Sequence, residues 1–199
     1  TLPAAAALLV MSDLIVAVLF KRGAFGVAET VATSAALAAY ALGLPAYVLI
    51  KVLAPGFFAR EDTATPVKVA AFCVAINLAL NLALIGPLQH VGIALATAIS
   101  AWINAGLLAL FLMRRGNFTP DARLKRAIPR TVLASAAMVG ILWFVQSALS
   151  DFADLDAALA AVVLVVLVAL GLAVFAMMAI GSGAARFSDI KRLLDRSSG

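Results

Sequence analysis

The run NLALNLALIGPLQHVGIALATAISAWINAGLL, residues 77–108, decides the fold. Two apolar stretches flank a joint of five residues, Gly86 to His90, opened by the breakers Gly86 and Pro87. Followed outward, the stretches read as spans over roughly 66–86 and 91–113, each near the ~20 residues that a ~30 Å hydrocarbon core requires. So short a joint leaves room only for a reversal, so the two are expected to form a helical hairpin. The same reading adds spans over roughly 2–20, 30–59, 127–149 and 158–180. The alternation of transmembrane strands is missing. The expected fold class is all-α, a polytopic membrane protein with six transmembrane helices.

Composition agrees. The 199 residues are 65% hydrophobic and 13% charged, with a mean hydropathy of +1.11. Soluble domains run about 45–50% apolar and about 25% charged. The pI near 9.9 does not point to nucleic acid, because the basic residues lie between apolar blocks of bilayer length. One cysteine, Cys73, excludes an internal disulfide, and one histidine, His90, excludes a multi-histidine metal centre. The chain starts at Thr1, directly in an apolar stretch, without the basic region or cleavage site of a signal peptide. A piece of a longer polytopic protein is expected.

Orientation follows from Lys and Arg. Arg114, Arg115, Arg123, Lys125, Arg126 and Arg130 crowd the joint after the fourth span. Arg186, Lys191, Arg192 and Arg196 crowd the tail, and Arg60 and Lys68 flank the joint after the second span. Asp151, Asp154 and Asp156 stand alone in the joint before the last span. Placing the basic joints in the cytoplasm puts both ends of the chain there, with Lys21 and Arg22 as the minor violation. The cluster from Arg123 to Arg130 also suits contact with anionic lipid.

Polar residues inside the spans carry the functional reading. Lys51 lies nine residues before Arg60, ~13 Å inside the membrane edge, where insertion of a lysine costs about 2.5–3.5 kcal/mol. Snorkelling would need nearly two helix turns of reach. A water-filled cavity that receives an anionic group such as phosphate explains the charge better. Pro45 and Pro55 in the same span can kink it or free carbonyls. Asn77 and Asn81 share one helix face, and Gly92, Ala96, Ser100 and Asn104 form a stripe on the returning helix, with Thr97 beside it. By depth, Asn81 faces Thr97 and Asn77 faces Ser100. Such groups serve as glue between helices or as oxygen ligands for a small cation such as sodium. Asp13 lies ~10 Å inside its span and suits a proton or cation site, a water-filled crevice or a pairing with a helix outside this chain. His90 reads as solvated, Trp102 and Trp143 as packing or interface residues, and GNFTP at 116–120 as a turn. No phosphate loop, activated nucleophile or pair of intramembrane carboxylates is present, so no catalytic residue is expected.

The run AAYALGLPAYVLIKVLAPGFFAREDTATPVKVA, residues 38–70, resembles the signature stretch of the MviN/MurJ family of lipid II flippases, within the multidrug/oligosaccharidyl-lipid/polysaccharide exporter superfamily. Residues 77–108 and LFKRGAF at 19–25 continue the resemblance in order, strongly over 1–115 and by hydropathy alone beyond.

The resemblance implies fourteen helices, of which these six would be the ninth to the fourteenth. Residues 1–115 would belong to the carboxyl-terminal lobe. Residues 116–199 would hold a basic cytoplasmic joint, two extra groove-forming helices and a basic tail. It implies a bacterial inner-membrane transporter, not an enzyme, that moves lipid II from the inner to the outer leaflet by alternating access. Lys51 matches the lysine of the family's cationic cavity, a substrate contact. Asn77, Asn81 and Thr97 fall where some relatives place a sodium site, though here without a carboxylate. No cofactor is implied beyond sodium or the membrane potential as coupling source. The implied partners are lipid II, membrane lipids and the missing amino-terminal lobe, with no nucleic acid. The rival expectations are a drug or polysaccharide exporter of the same superfamily, a membrane enzyme acting on lipid phosphates, and a structural anchor.

Overall fold

The computed structural model describes residues 1–21, 25–116, 122–148 and 157–181. They form five helices: α1 (Leu2–Phe20), α2 (Val27–Phe58), α3 (Ala64–Arg114), α4 (Ala122–Ala148) and α5 (Ala157–Gly181). Each is long and apolar enough to cross a membrane. The expected acidic joint with Asp151, Asp154 and Asp156 lies outside the described residues. So do Arg22, Gly23, residues 117–120 of GNFTP, and the tail with Arg186, Lys191, Arg192 and Arg196; the side chain of Arg123 is likewise not described. The chain divides into two compact units, Pro3–Thr119 and Pro120–Gly199.

The structure counts five helical segments where six helices were expected, because the third and fourth spans, two helices, run together across a kink at Gln89 into one segment of 51 residues. Only Gln89 leaves helical geometry inside it, at φ 50° and ψ −130°. A positive φ on a residue with a Cβ costs energy, about 1–3 kcal/mol. It lets the chain reverse sharply at this residue. Nested pairs around the break establish the hairpin: Leu84 lies against Gly92, Asn77 against Ser100, and Asp62 beside Arg115. Residues 64–88 are called the first arm of α3 below, and residues 90–114 the second.

Helix α2 runs parallel to the second arm. A Cβ on Gly43 would lie 3.0 Å from the Ala98 Cα, so the two backbones nearly touch there. One turn on, Ala46 packs with Ala101 and Ala105. Further along, Leu53 and Phe57 join Leu108 and Leu112, and Val69 and Cys73 of the first arm complete this cluster. Lipid tails are as apolar as leucine, so helices gain little by hiding hydrophobic surface from them. Small residues that permit close van der Waals approach hold such pairs instead.

The two prolines do not break α2, which is helical from end to end. Pro45 has no N–H to offer the turn before it. On that turn the Trp102 indole Nε1 donates to the Leu42 carbonyl at 2.9 Å. The carbonyl that Pro45 leaves without its helical donor is that of Ala41, four residues back, so the bond from Trp102 to Leu42 is a contact between the helices in its own right.

In the second unit α4 and α5 pack together. Ala134, Met138 and Leu142 are buried on α4, as are Leu167 and Val174 on α5. A Cβ on Gly171 would meet Leu142 Cδ1 at 3.3 Å. The Thr131 and Ser135 hydroxyls bond to the carbonyls of Ala127 and Thr131, so neither is left unmet in an apolar setting.

The hairpin has a sharp test. A Cβ on Gly92 would collide with the Leu84 carbonyl, whereas a Cβ on Gly106 would meet nothing within 4 Å. Gly92→Ala is expected to wedge the arms apart and cost about 1–3 kcal/mol, while Gly106→Ala stays neutral. Thermal unfolding of the intact protein in detergent reads both, and equal melting temperatures would contradict the packing.

Candidate functional site

Within the first unit the polar groups gather at three levels. At the hairpin tip His90 is not merely solvated: its Nε2 lies 3.0 Å from the Ala32 carbonyl oxygen of α2. The sequence places His90 one residue past the reversal but carries no sign of which helix lies beside it.

Deeper in the hairpin is an amide and hydroxyl seam. Thr97 Oγ1 donates to the Ile93 carbonyl at 2.8 Å, and Ser100 Oγ to the Thr97 carbonyl at 3.0 Å. Each hydroxyl hydrogen is thereby committed to the helix's own backbone, which leaves the oxygens as acceptors. Asn77 Nδ2 of the first arm donates to both, at 3.5 Å to Thr97 and 3.2 Å to Ser100. Asn81 does not reach across to Thr97 as its depth suggested; its Nδ2 donates to Asn77 Oδ1 at 2.9 Å. The i, i+4 spacing that put both amides on one face also lets them bond to each other. Asn81 Oδ1 and Asn104 Oδ1 are buried without a hydrogen-bond partner. Only oxygen acceptors are left over, with no anionic group among them.

Lys51 lies in α2 seven residues before its end at Phe58, ~10 Å along the axis. The side chain is exposed within this chain. Tyr47, four residues earlier, and Tyr40, eleven earlier, fall on the same side of the helix and are exposed too. Ala46, Leu53 and Phe57, which meet α3, lie on the other side. Lys51 has no ion-pair partner among the described residues. Asp13 is also exposed, on α1, and no described contact links it to the seam.

Sequence reasoning missed a clasp where the arms end. Asp62 and Arg115 stand 27 and 26 residues either side of Gln89, so a straight hairpin brings them together. Asp62 Oδ2 pairs with Arg115 Nη1. Asp62 also accepts from the Thr65 backbone N–H at 3.0 Å and from Thr65 Oγ1 at 2.7 Å. Arg115 Nη2 donates to Thr65 Oγ1 at 3.1 Å, and the guanidinium lies 5.8 Å from the centre of the Phe57 ring. The Thr65 hydroxyl, then Arg115, then the Thr65 amide hold the Asp62 carboxyl well below the usual carboxylate range. The equal spacing about the break was the available signal.

Helices of bilayer length, joined through small residues and carrying an amide seam and a lysine within their apolar lengths, define a polytopic α-helical membrane protein. The family model described as lipid II flippase MurJ matches residues 1–163, and the chain belongs to that family. It is 45% identical over 202 residues to the probable lipid II flippase MurJ of Rhizobium meliloti, covering 100% of this chain and 37% of that protein. A protein of the same description from Rhizobium tropici is 45% identical over 146 residues, 73% of this chain and 27% of that one. The lipid II flippase MurJ of Burkholderia cenocepacia is 34% identical over 140 residues, 70% of this chain and 27% of that one. The chain thus spans about a third of the length of the curated relatives it matches. A solved structure described as lipid II flippase MurJ, inward closed conformation, shares the fold with a TM-score of 0.68 at 24% identity, over 89% of this chain and 35% of that one. The matches favour the flippase expectation over the exporter, enzyme and anchor rivals.

The clasp predicts a pH dependence. A depressed carboxyl contributes stability above its unfolded value of about 3.9 and loses it as the pH falls through the lower folded value. The gap in melting temperature between wild type and Asp62→Asn is therefore expected to stay flat from about pH 5 to 8 and to shrink in stronger acid. A gap that widens toward acid would contradict the assignment.

Proposed function

We propose that this chain forms part of a flippase that carries lipid II, the lipid-linked peptidoglycan precursor, from the inner to the outer leaflet of a bacterial inner membrane by alternating access. The observation that carries the reading is 45% identity along the full chain to a probable lipid II flippase. In this reading the protein changes no covalent bond. Its work is to pass an anionic head group through the membrane, and an intramembrane cation is what that cargo requires.

Lys51 is the cation this chain supplies. Its position inside α2, on the side turned away from α3, supports a place in a cavity shared with the rest of the protein. There the ammonium acts as a point charge toward the pyrophosphate. Residues 1–115 serve as part of the carboxyl-terminal lobe, and 116–199 as the basic joint, groove-forming pair and tail. The basic joints lie in the cytoplasm, with both ends of this chain. The amino-terminal lobe of the same protein closes the cavity, and membrane lipids surround it.

Coupling falls to a sodium ion or to the membrane potential. Asn77, Asn81 and Thr97 would hold the ion through neutral oxygens, and the buried, unpartnered Asn81 Oδ1 supports that assignment. The bound ion would supply charge that favours one packing of the hairpin. The hydrogen bonds of the seam, meanwhile, join the two arms whether or not an ion is present.

Replacement of Lys51 by alanine in the intact protein is expected to abolish growth of cells that depend on it, while the protein still reaches the membrane. Normal growth of that strain would remove Lys51 from the substrate path.

A further inference from the structure

The exposed side of α4 has a composition that neither the cargo nor the hairpin explains. At its amino-terminal end Lys125, Arg126 and Arg130 are all exposed, and none has a hydrogen bond or ion pair among the described residues. Beyond them Val132, Leu133, Trp143 and Phe144 are exposed, the last three at 65–67%. At 3.6 residues per turn Arg126 and Phe144 occupy the same angular position, as do Lys125 and Trp143, and Arg130 and Leu133 lie within about 40° of Arg126. Arg126, Arg130, Leu133 and Phe144 thus lie on one strip, and Lys125 lies with Val132 and Trp143 on its flank, about 100° round the helix from Arg126.

A charge bias that only sets topology depends on how many basic residues flank a span, not on which side of the helix they take. Here the side is selected. Ala134, Met138 and Leu142 mark the buried side of α4. At the level of the charges that side carries uncharged Ala127 and Thr131. From Arg130 the helix continues ~27 Å to Ala148, so the apolar part of the face spans more than the ~15 Å depth of one leaflet. Three adjacent cations at the edge of such a face match a molecule with an anionic head and long apolar tails.

We propose that this strip of α4 binds an anionic phospholipid, with Arg126 and Arg130, flanked by Lys125, on the phosphodiester and the acyl chains along Leu133 and Phe144. All three supply positive charge to the phosphodiester, so the attraction depends on charge and not on the shape of the donor group. The proposal concerns a resident membrane lipid and holds whatever the transported molecule is.

The test titrates the intact protein, purified in nonionic detergent, with phosphatidylglycerol or phosphatidylcholine and counts bound lipids by native mass spectrometry. Each basic side chain at an anionic surface contributes about fivefold. The variant combining Lys125→Gln, Arg126→Gln and Arg130→Gln is therefore expected to hold one phosphatidylglycerol fewer, its affinity at this site down at least about tenfold. Phosphatidylcholine counts should not change. Arg126→Lys with Arg130→Lys, which keeps the charge, retains the lipid, as does Lys21→Gln, which lies off this face. Raising salt to about 0.5 M weakens the wild-type preference by screening. A triple variant with an unchanged melting temperature and an unchanged phosphatidylglycerol count overturns the proposal and gives the face to the rest of the protein. Loss of the lipid from the charge-conserving variant overturns it as well.

Discussion

The near contact of Gly43 with Ala98 governs the arrangement of the first unit. In hydrocarbon two helices are held by how closely they approach, and a side chain at either position limits that approach. With the backbones this near, the Trp102 indole reaches the Leu42 carbonyl and His90 reaches Ala32. Leu53 and Phe57 close on Leu108 and Leu112 at the other end. The same contact also sets the rotation of α2. Once Gly43 and Ala46 face the second arm, the helical repeat turns Lys51, Tyr47 and Tyr40 away from it.

Hydrogen bonding then sorts the polar residues into two kinds. The hydroxyls of Thr97 and Ser100 satisfy their own helix first and present oxygen to Asn77, so the seam joins the arms without any formal charge. Asp62 and Arg115 carry full charges but sit at the ends of the arms, outside the apolar lengths, where water is available and the pair is cheap to keep. Lys51 belongs to neither kind. A charge within an apolar helix, with no counter-charge among the described residues, requires a polar surrounding that those residues do not supply. The binding role proposed for Lys51 rests on that requirement and not on any contact made by its side chain.

Much of this was readable in the sequence, and the limits are physical. Spans announce themselves because bilayer thickness imposes a length on apolar runs, and the joint at Gly86 to His90 announced the hairpin. That the reversal turns on Gln89 was not foreseen, since one residue at positive φ leaves no compositional trace when it is not glycine. The parallel seat of α2 on the second arm was equally hidden. Both helices are apolar on every side, so periodicity cannot say which side meets protein and which meets lipid. Depth counting paired Asn77 with Ser100, as found, but also Asn81 with Thr97, where Asn81 bonds instead to Asn77, because an amide four residues away is a nearer partner than a hydroxyl on another helix. The family resemblance rested on residues 38–70 and 77–108, and these are the segments that build the Gly43 seat, the seam and the lysine face.

The central claim is that Lys51 acts on a lipid-linked pyrophosphate during its passage across the membrane. The most direct measurement depletes the intact protein in its own host, restores it as wild type or Lys51→Ala, and quantifies lipid II in the outer leaflet. The account predicts that outer-leaflet lipid II falls on depletion, returns with wild type, and does not return with the variant at equal protein level. Unchanged outer-leaflet lipid II on depletion would contradict the assigned cargo, and full recovery with Lys51→Ala would contradict the role of the lysine.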